Sequence, residues 1–538
     1  MNRSNPGDIG RSISASGADF LQLNVSEAPA GGLADWLAGR LRAAISDGRL
    51  PLGSRLPATR VLAAELQVSR GIVTEAYQRL TEDGHIIGRG RAGTVVVAAP
   101  IGTQPAQSRF RATAAKGKEG AGTKARAGAA AGAGAEVGAG AEVGAVAGMR
   151  AGASAGAGRG VLVGVPGLEV FDVMRAAPAR IDLTPGVPDL ASFPRAAWLK
   201  AVRSVLADLS ASAFGYGNPA GTQALRLAVA TWLARNRGIK ADPDDLIIVA
   251  GVAQAIGLIS QVLLREGITE VAVEDPGSLG SRQHLQNWGM ATPPVHVDSD
   301  GLRVDELRES GARAVMVTPA HQFPMGAVLD GERRRELMQW AAEGGLIVED
   351  DYDAEHRYDR PPVPALRAMM SDHVIYAGSI SKLLAPALRI GWMLAPAQYK
   401  NALVNAKRLA DLGNAALPQL VIAQLMESGE LERQLRFVRR RHRQRRDAII
   451  DALGNYLPKA TVHGAAAGLH LTITFDDLSL DDVELAAAAL EHGVKTQPLS
   501  WHCQLPQPPG LVLGYAARTP TELTEAVAIL GGLLEARV

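Results

Sequence analysis

The stretch AGSISKLLAPALRIGWMLAP, residues 377–396, carries the strongest chemical signal in the sequence. A short apolar run ends in S-x-S-K, and an arginine follows the lysine after seven residues. The amine of Lys382 is suited to form a Schiff base with an aldehyde cofactor. The hydroxyls of Ser379 and Ser381 and the guanidinium of Arg389 are suited to hold a phosphate group of that cofactor. A lysine after a serine is also common on solvated surfaces, so the prediction depends on the surrounding segments.

The segment LIVEDDYDAEHRY, residues 346–358, ends an apolar run with two carboxylates and a tyrosine. Asp350 is placed to pair with a protonated pyridine nitrogen, which makes the ring an electron sink, and Tyr352 to hydrogen-bond the ring 3-oxygen. Its neighbour Asp351 is expected to be structural. In the run TPAHQFPMG, Gln322 is a second candidate for the same 3-oxygen.

Two more segments add candidates for the phosphate. AGVAQA, residues 250–255, opens a helix whose N-terminal amides, around Ala253 and Gln254, can receive an anion. FGYGNPAG, residues 214–221, supplies Tyr216, for which a place in the apolar core is the alternative.

Five short apolar runs, each ending near Gly, Asp, Pro or Ser, alternate with helical patterns in the C-terminal part of the chain. Such runs are typical of buried parallel strands, whose carboxyl ends carry the chemistry. We therefore expect a large α/β domain with a mostly parallel central sheet. The runs are LIIVAG (246–251), VAVEDPG (271–277), AVMVTP (314–319), LIVEDD (346–351) and VIYAGS (374–379).

The composition excludes several classes of protein. The 538 residues carry 56 Lys and Arg against 55 Asp and Glu, a net charge of +1, so any surface for a polyanion must be local. The single cysteine, Cys503, excludes an internal disulfide scaffold and a cysteine-ligated zinc module, and no metal site is predicted. The N-terminus lacks a signal-peptide core, and the longest apolar stretch, residues 249–264, is too short to span a bilayer. We expect a cytoplasmic protein with no membrane segment.

Shifts in composition predict the domain boundaries. Residues 1–29 form a loose tail, and residues 30–98 are a compact patterned unit. Residues 99–170 are dominated by Ala and Gly and lack the large side chains that could offset ordering entropy, so they are expected to be a linker. Residues 171–538 form the α/β domain.

The N-terminal unit shows three helical patterns. The first has an apolar residue at every fourth position and stops at Gly48 and Pro51, and a second, short helix follows Pro57. Ser69 is the predicted N-cap of the third, RGIVTEAYQRL, whose outer face carries few apolar residues. The inward residues are expected to be Leu33, Leu37, Leu41 and Ile45, then Leu62 and Leu66, then Val73, Ala76, Tyr77 and Leu80.

Two short helices joined by a tight turn, the second polar outside, indicate a helix-turn-helix with that second helix in the major groove. The run HIIGRGRAGTVVV predicts a β-hairpin with Arg89 and Arg91 near its tip. Between residues 30 and 100 there are 9 Arg, no Lys and 6 acids, a local excess of +3. A small helical domain that binds protein is the alternative.

The stretch SRLPATRVLAAELQVSRGIVTEAYQRLTEDGHIIGRGRAGTVV resembles the GntR-type winged helix almost position by position, from the RLP-x-x-R opening to the final G-T-x-V. The resemblance implies that the helices and the wing contact double-stranded DNA. The residues it assigns to DNA are Arg60, Ser69, Arg70 and Thr74 in the helices and Arg89 and Gly90 in the wing.

From Ile181 to the C-terminus the chain resembles a fold-type-I, aspartate-aminotransferase-like domain, and with the winged helix in front it resembles the MocR/GabR family of bacterial transcription regulators. The resemblance implies pyridoxal 5'-phosphate as cofactor and a head-to-tail homodimer, in which Tyr216 reaches the phosphate of the partner subunit. It also implies a regulator that binds operator DNA at paired half-sites and responds to the cofactor or to an amino compound, with at most a residual transaminase half-reaction.

The chain departs from the family pattern in the body. A ring-stacking tyrosine is replaced in the EDPG motif, side-chain donors are missing at the start of the phosphate-binding helix, and a threonine is replaced in P-T-G. The run GLVLGYA (510–516) lacks the arginine that binds a substrate carboxylate in aminotransferases, and Arg518 is a weak substitute. The other positions concerned are Ser278, Val252, Ala253 and Met325.

Two alternatives follow from these departures. One is a working aminotransferase that its N-terminal domain tethers to DNA, and the other is a regulator that has lost its cofactor. Separately, RQLRFVRRRHRQRR (433–446) has eight arginines; a solvated or dimer-facing helix is one interpretation, and a second contact with DNA phosphates is the other.

Overall fold

The computed structural model describes most of the two patterned regions. The described residues are 23, 25, 28–29, 32–46, 49–50, 53–83, 85–88, 93–97, 162, 164–358 and 363–536. Most of the predicted tail, most of the predicted linker, and the wing residues Arg89, Gly90 and Arg91 lie outside them, as do Gly48 and Pro51. The predicted domain boundaries therefore stay a prediction.

The N-terminal module has three helices and a small antiparallel sheet in which β3 lies between β1 and β2. The predicted hairpin is confirmed as β2 and β3, whereas the two-residue strand β1 was not predicted. The elements are α1 (Leu33–Ser46), β1 (Arg55–Leu56), α2 (Thr59–Glu65), α3 (Arg70–Glu82), β2 (Ile86–Gly88) and β3 (Thr94–Val96).

The core of this module follows the predicted apolar faces. All the expected inward residues are buried except Leu33, which is half-buried at the start of α1. The phenol of Tyr77 donates to the carbonyl of Pro57 at 2.8 Å, so this buried polar atom has a partner. Burying one face of each helix leaves the opposite face of α3 in solvent.

The body is built from fourteen strands and thirteen helices within the described residues. The strands are β4 (Ile181–Asp182), β5 (Leu246–Val249), β6 (Ala272–Asp275), β7 (Pro294–Asp298), β8 (Gly301–Leu302), β9 (Ala314–Val317), β10 (Leu346–Asp351), β11 (Val374–Ser379), β12 (Gly391–Leu394), β13 (Thr461–His463), β14 (His470–Thr474), β15 (Val494–Lys495), β16 (Gln497–Pro498) and β17 (Gly510–Gly514).

The helices pack on both sides of the strands, and none of the described helices is long and apolar enough to cross a bilayer. They are α4 (Val170–Ala176), α5 (Arg195–Asp208), α6 (Gln223–Asn236), α7 (Val252–Arg265), α8 (Leu279–Asn287), α9 (Val304–Ser310), α10 (Gly331–Ala342), α11 (Leu366–Met369), α12 (Ala397–Asp411), α13 (Ala416–Glu427), α14 (Glu430–Tyr456), α15 (Asp482–Glu491) and α16 (Pro520–Glu535).

The large sheet has eight strands in the order β5-β12-β11-β10-β9-β6-β7-β8. All five predicted strands belong to it, as β5, β6, β9, β10 and β11, and they run in the same direction. Only β12 and β8 run against the others, so the prediction of a mostly parallel sheet is confirmed. The five are buried along their whole length, which explains their continuous apolar sequence.

The register of β10 and β11 positions the candidate site. Asp350 lies opposite Ala377 and Asp351 opposite Gly378, so both strands end at the same edge of the sheet. Lys382 follows β11 by three residues. A separate antiparallel sheet, in the order β13-β14-β17-β16, contains the GLVLGYA strand and packs against α15 and α16.

Candidate functional site

Lys382 lies in the turn that follows β11, next to the carboxyl end of β10. Its amine donates a hydrogen bond to the carbonyl of Gly186. Burial lowers the pKa of Lys382, and the charges of Asp353 and Asp350 oppose that shift. The amine is therefore held close to two carboxylates. Because its pKa is lowered, a larger fraction of Lys382 than of a surface lysine is in the neutral, nucleophilic form.

Asp350 is the penultimate residue of β10 and is buried. Burial raises its pKa to about 7, the charge of Asp351 adds to the effect, and the charge of Lys382 opposes it. Its Oδ1 atom has no hydrogen-bond partner among the described residues. A buried acceptor without a donor is costly, and a protonated ring nitrogen would supply the donor.

The side chain of Asp351 lies in a different environment from that of Asp350. Its Oδ2 atom accepts from Nε of Arg237 at 2.5 Å and from the phenol of Tyr376 at 2.6 Å. Both members of the Asp351–Arg237 ion pair are almost fully buried. These contacts support the structural role that was expected of Asp351.

Tyr352 and Gln322, the two candidates for the ring 3-oxygen, differ in their contacts. The phenol oxygen of Tyr352 lies 3.0 Å from Nδ1 of His321, and burial raises the pKa of Tyr352 well above 10, helped by the charges of Asp353 and Asp350. The amide of Gln322 donates to the carbonyls of Pro276 and Phe323 and accepts from the backbone of Met325. Its predicted role at the 3-oxygen stays a prediction.

The residues that are predicted to bind the phosphate lie where β5 leads into α7. Gly251 is the N-cap of α7 with φ 83°, a conformation that suits glycine. Arg389 donates to the carbonyl of Ala250, and a Cβ atom on Gly251 would lie 3.2 Å from its guanidinium. On the other side, Oγ of Ser379 accepts from the amide of Ser381 at 3.0 Å. The free amides of a helix start and an exposed guanidinium are a suitable set for an anion.

The predictions missed a buried cation beside this helix start. Nζ of Lys407, a residue with no exposed surface, donates to Asp411 at 2.9 Å and to Oε1 of Gln254 at 3.0 Å. Gln254 in turn accepts from the amide of Ala250 and donates to Asp411. The side chain of Gln254 is therefore engaged in fixing the turn, and Ala253 offers only its backbone. Nothing in the local sequence of α12 signals that contact, because 153 residues separate its partners.

Tyr216 is 95% exposed. The alternative of a core tyrosine is therefore wrong, and a phenol this exposed is available to a second molecule. Phe214, two residues earlier, is 61% exposed.

The departures from the family pattern have visible structural consequences. Oγ of Ser278 accepts from the amide of Ser281 and caps α8. The side chain of Arg518 donates from Nε to the carbonyl of Asp182 and lies 3.8 Å from Glu522, so part of its guanidinium is already engaged within the body. Every residue of β17, including Val512, is buried.

The arginine run forms the first half of α14, and five of its eight side chains have partners within the body. Asp189, for example, binds two of them. These contacts explain most of the run structurally. The five are Arg433 with Glu430, Arg439 with the carbonyl of Arg357, Arg441 and Arg445 with Asp189, and Arg446 with Asp447. The other three are exposed: Arg436, Arg440 and Arg443.

The candidate DNA interface is the outer face of the N-terminal module. The four predicted helix residues are all exposed there: Arg60, Ser69, Arg70 and Thr74. Ser69 is the N-cap of α3 as predicted, but its hydroxyl makes no capping hydrogen bond. A free hydroxyl at a helix start is available to a phosphate oxygen.

The residues of the body fit pyridoxal phosphate. The unpartnered Oδ1 of Asp350 fits a protonated ring nitrogen, the Lys382 amine lies beside it, and the start of α7 with Arg389 fits a phosphate. The departures remove the stacking ring and side-chain donors but leave this set of three contacts in place.

Comparisons with known proteins agree with both parts. Residues 33–96 match the model of the bacterial regulatory proteins of the gntR family, and residues 179–530 match that of aminotransferase class I and II. A probable rhizopine catabolism regulatory protein, MocR, of Rhizobium meliloti is 29% identical, with 91% of each chain covered. The pyridoxine biosynthesis regulator PdxR of Corynebacterium glutamicum is 28% identical, with 82% of this chain and 83% of PdxR covered. A kynurenine aminotransferase of Pyrococcus horikoshii, solved in complex with PMP, superimposes with a TM-score of 0.62 at 25% identity, covering 69% of this chain and 94% of its own.

Proposed function

The chain belongs to the aminotransferase class I and II family and, with its gntR-type module in front, to the MocR/GabR group of transcription regulators; from this we propose a one-component regulator. Its N-terminal module binds operator DNA, and its body senses pyridoxal phosphate, an amino compound, or both. Such a protein acts where the chromosome is, in the cytoplasm.

One observation carries the proposal: the chain joins an exposed recognition helix to a body that keeps Lys382 and Asp350 together. The similarity to the regulators MocR and PdxR, which extends over at least four fifths of the chain, supports the proposal. When bound, the cofactor supplies an aldehyde that reacts with amines and a ring that accepts electrons. The residues of this chain hold it: Lys382 by its amine, Asp350 at the ring nitrogen, and Arg389 with the start of α7 at the phosphate.

We propose that the protein switches by population shift. A ligand that occupies the body changes DNA binding only if it binds one arrangement of the modules better than another. A difference of a few kcal/mol is sufficient. We also propose a head-to-tail homodimer, which the exposed phenol of Tyr216 supports because it is available to a partner's site.

The first test is spectroscopic. Pyridoxal phosphate is added to the purified protein, the absorbance is recorded, and the complex is reduced with borohydride and digested for mass mapping. We expect an absorbance band and a modified Lys382. Lys382→Ala should lose the band and keep its affinity for a DNA fragment selected with the wild-type protein within a small factor. A band that persists in Lys382→Ala would show that another residue is attached, and a wild type without a band would favour the regulator that has lost its cofactor.

The second candidate function is a working aminotransferase. The specific observation in its favour is the fold, shared with an enzyme at a TM-score of 0.62. Against it, β17 has no arginine and Arg518 is engaged with Asp182 and Glu522. Steady-state transamination with a panel of amino acids and 2-oxoacids decides between them, and turnover at rates of ordinary enzymes, about 1–1,000 per second, would establish the second function.

A further inference from the structure

We propose that His321, together with Asp353, directs the phenol proton of Tyr352 toward the cofactor, which makes His321 a positioning residue of the site. The inference rests on the proposed binding of pyridoxal phosphate. It begins with one atom: Nδ1 of His321 lies 3.0 Å from Oδ2 of Asp353 and 3.0 Å from the phenol oxygen of Tyr352.

A single ring nitrogen can carry only one proton, so Nδ1 either donates toward both oxygens or accepts from the phenol. A carboxylate oxygen can only accept, which assigns the proton to Nδ1 of His321 and the donated hydrogen bond to Asp353. The contact with Tyr352 is then one in which the phenol oxygen accepts or merely lies close. The proton of Tyr352 is therefore not donated to His321.

The other nitrogen of His321 agrees with this assignment. Nε2 is buried and has no hydrogen-bond partner among the described residues. The backbone of two glycines packs closely there: a Cβ atom on Gly468 would lie 2.8 Å from Nε2, and one on Gly326 would lie 3.1 Å from it. An unprotonated nitrogen loses less in such a place than an N–H group without an acceptor.

Asp353 competes with the cofactor for the phenol proton, because it raises the pKa of Tyr352 through its charge and a hydrogen bond. His321 weakens Asp353 as an acceptor by donating to its Oδ2 atom, while Oδ1 has no partner among the described residues. The other charged or titratable groups that face Tyr352 are Asp350 and Glu274, and His470 stacks near His321 with ring centroids 5.2 Å apart. Burial lowers the pKa of His470 to about 3, so this ring is neutral and does not compete as a cation.

The consequence is a permanent donor at the cofactor site. Burial keeps Tyr352 protonated, and the hydrogen bond from His321 weakens Asp353 as an acceptor, which favours donation of the phenol proton to a ring 3-oxygen. A donor to that oxygen withdraws negative charge from it and lowers the pH at which the bound cofactor changes its absorbance.

The test compares four single variants by absorbance against pH and by the dissociation constant for pyridoxal phosphate. His321→Asn places an amide N–H near the position of Nδ1, whereas His321→Gln places it near Nε2 and His321→Leu removes it. Tyr352→Phe removes the phenol. We expect His321→Gln and His321→Leu to raise the pH midpoint by roughly 1 unit, toward that of Tyr352→Phe, and His321→Asn to stay near wild type.

The double variant His321→Leu with Tyr352→Phe should shift no further than Tyr352→Phe alone. The inference is wrong if His321→Asn shifts as much as His321→Leu, which would indicate packing only, or if Tyr352→Phe shifts and His321→Leu does not. It is also wrong if the purified protein holds a stoichiometric divalent metal that His321→Leu loses, because His321, Asp353 and His470 have ligand atoms within 4.8 Å of one another. A wild type that binds no cofactor would refute the proposed function itself, and this inference with it.

Discussion

Asp350 and Asp351 are neighbours on one strand, and their side chains lie in different environments. Successive residues of a strand point to opposite faces, so one carboxylate lies in the site and the other against Arg237 and Tyr376. The sequence motif identifies the pair but its alternation alone does not say which face holds the cofactor. The charge of Lys382 beside Asp350, and the two donors that Arg237 and Tyr376 supply to Oδ2 of Asp351, decide it.

The raised pKa of Asp350 predicts that its replacement by an uncharged residue stabilises the folded protein by an amount that depends on pH. In the folded protein without cofactor the group keeps its proton up to about pH 7, whereas the unfolded chain releases it near pH 3.8. The wild type therefore loses stability as the pH rises through this window. Asp350→Asn cannot ionise at this position. We expect its free energy of unfolding, relative to that of the wild type, to rise by up to roughly 4 kcal/mol between pH 4 and pH 7 and to stay constant above pH 7.

Chemical denaturation at pH 5 and pH 8 measures this difference. Asp172→Asn, a change at an exposed carboxylate, is the control and should show little change with pH. An Asp350→Asn protein whose stability relative to wild type is the same at both pH values would contradict the prediction.

Asp351→Asn, in contrast, is expected to destabilise the folded protein. It leaves the buried guanidinium of Arg237 without its charge partner, and breaking such a pair costs about 3–5 kcal/mol. Denaturation of the two proteins at pH 7 measures it. Asp244→Asn is the matched control because its ion pair with Arg226 has an exposed carboxylate, and it should cost less than about 1 kcal/mol. Equal losses of stability in both variants would contradict the structural role assigned to Asp351.

At the scale of single elements, one face of α3 stabilises the N-terminal module, and the opposite face is the one proposed to contact DNA. Its inner residues fill the core of the module, and Arg70 and Thr74 stand exposed on the other side. The pattern of the sequence predicted both faces correctly, since a helix repeats every 3.6 residues whatever it packs against.

This separation gives a prediction for α3. Arg70→Ala should weaken binding to a selected operator by about 1–3 kcal/mol and leave the melting temperature unchanged, because the side chain makes no core contact. Leu80→Ala, a change in a fully buried residue, should lower the free energy of unfolding by about 2–5 kcal/mol. Fluorescence anisotropy with labelled DNA and thermal denaturation measure the two effects. Gln78→Ala, exposed on the same helix, is the control; wild-type affinity in Arg70→Ala would remove α3 from the interface.

At the scale of the whole molecule, the exposed Tyr216 leads to a prediction about the dimer. If its phenol serves the partner's site, Tyr216→Ala and Lys382→Ala each damage every site of their own homodimer. A mixed dimer of the two then holds one site with both Lys382 and Tyr216 intact. After exchange of equal amounts, half of the dimers are mixed, so we expect about a quarter of all sites to bind pyridoxal phosphate with wild-type affinity, measured by absorbance titration. A mixture that behaves as the sum of its two parents would mean that Tyr216 acts within its own chain.

The sequence by itself determined the two-part architecture, the five parallel strands and the inner and outer faces of α3, because these depend on local periodicity and on contiguous motifs. It also predicted Lys382, Asp350 and Arg389 as site residues, and that stays a prediction. Only the tertiary structure decided that Gln322 and Gln254 bond to their own turns, that Arg518 is engaged, that Lys407 is buried beside α7, and that His321 lies between Asp353 and Tyr352. The physical reason is that a hydrogen bond forms with whichever group the fold brings within about 3 Å, and side chains whose partners lie tens or hundreds of residues away leave no pattern in their own segment.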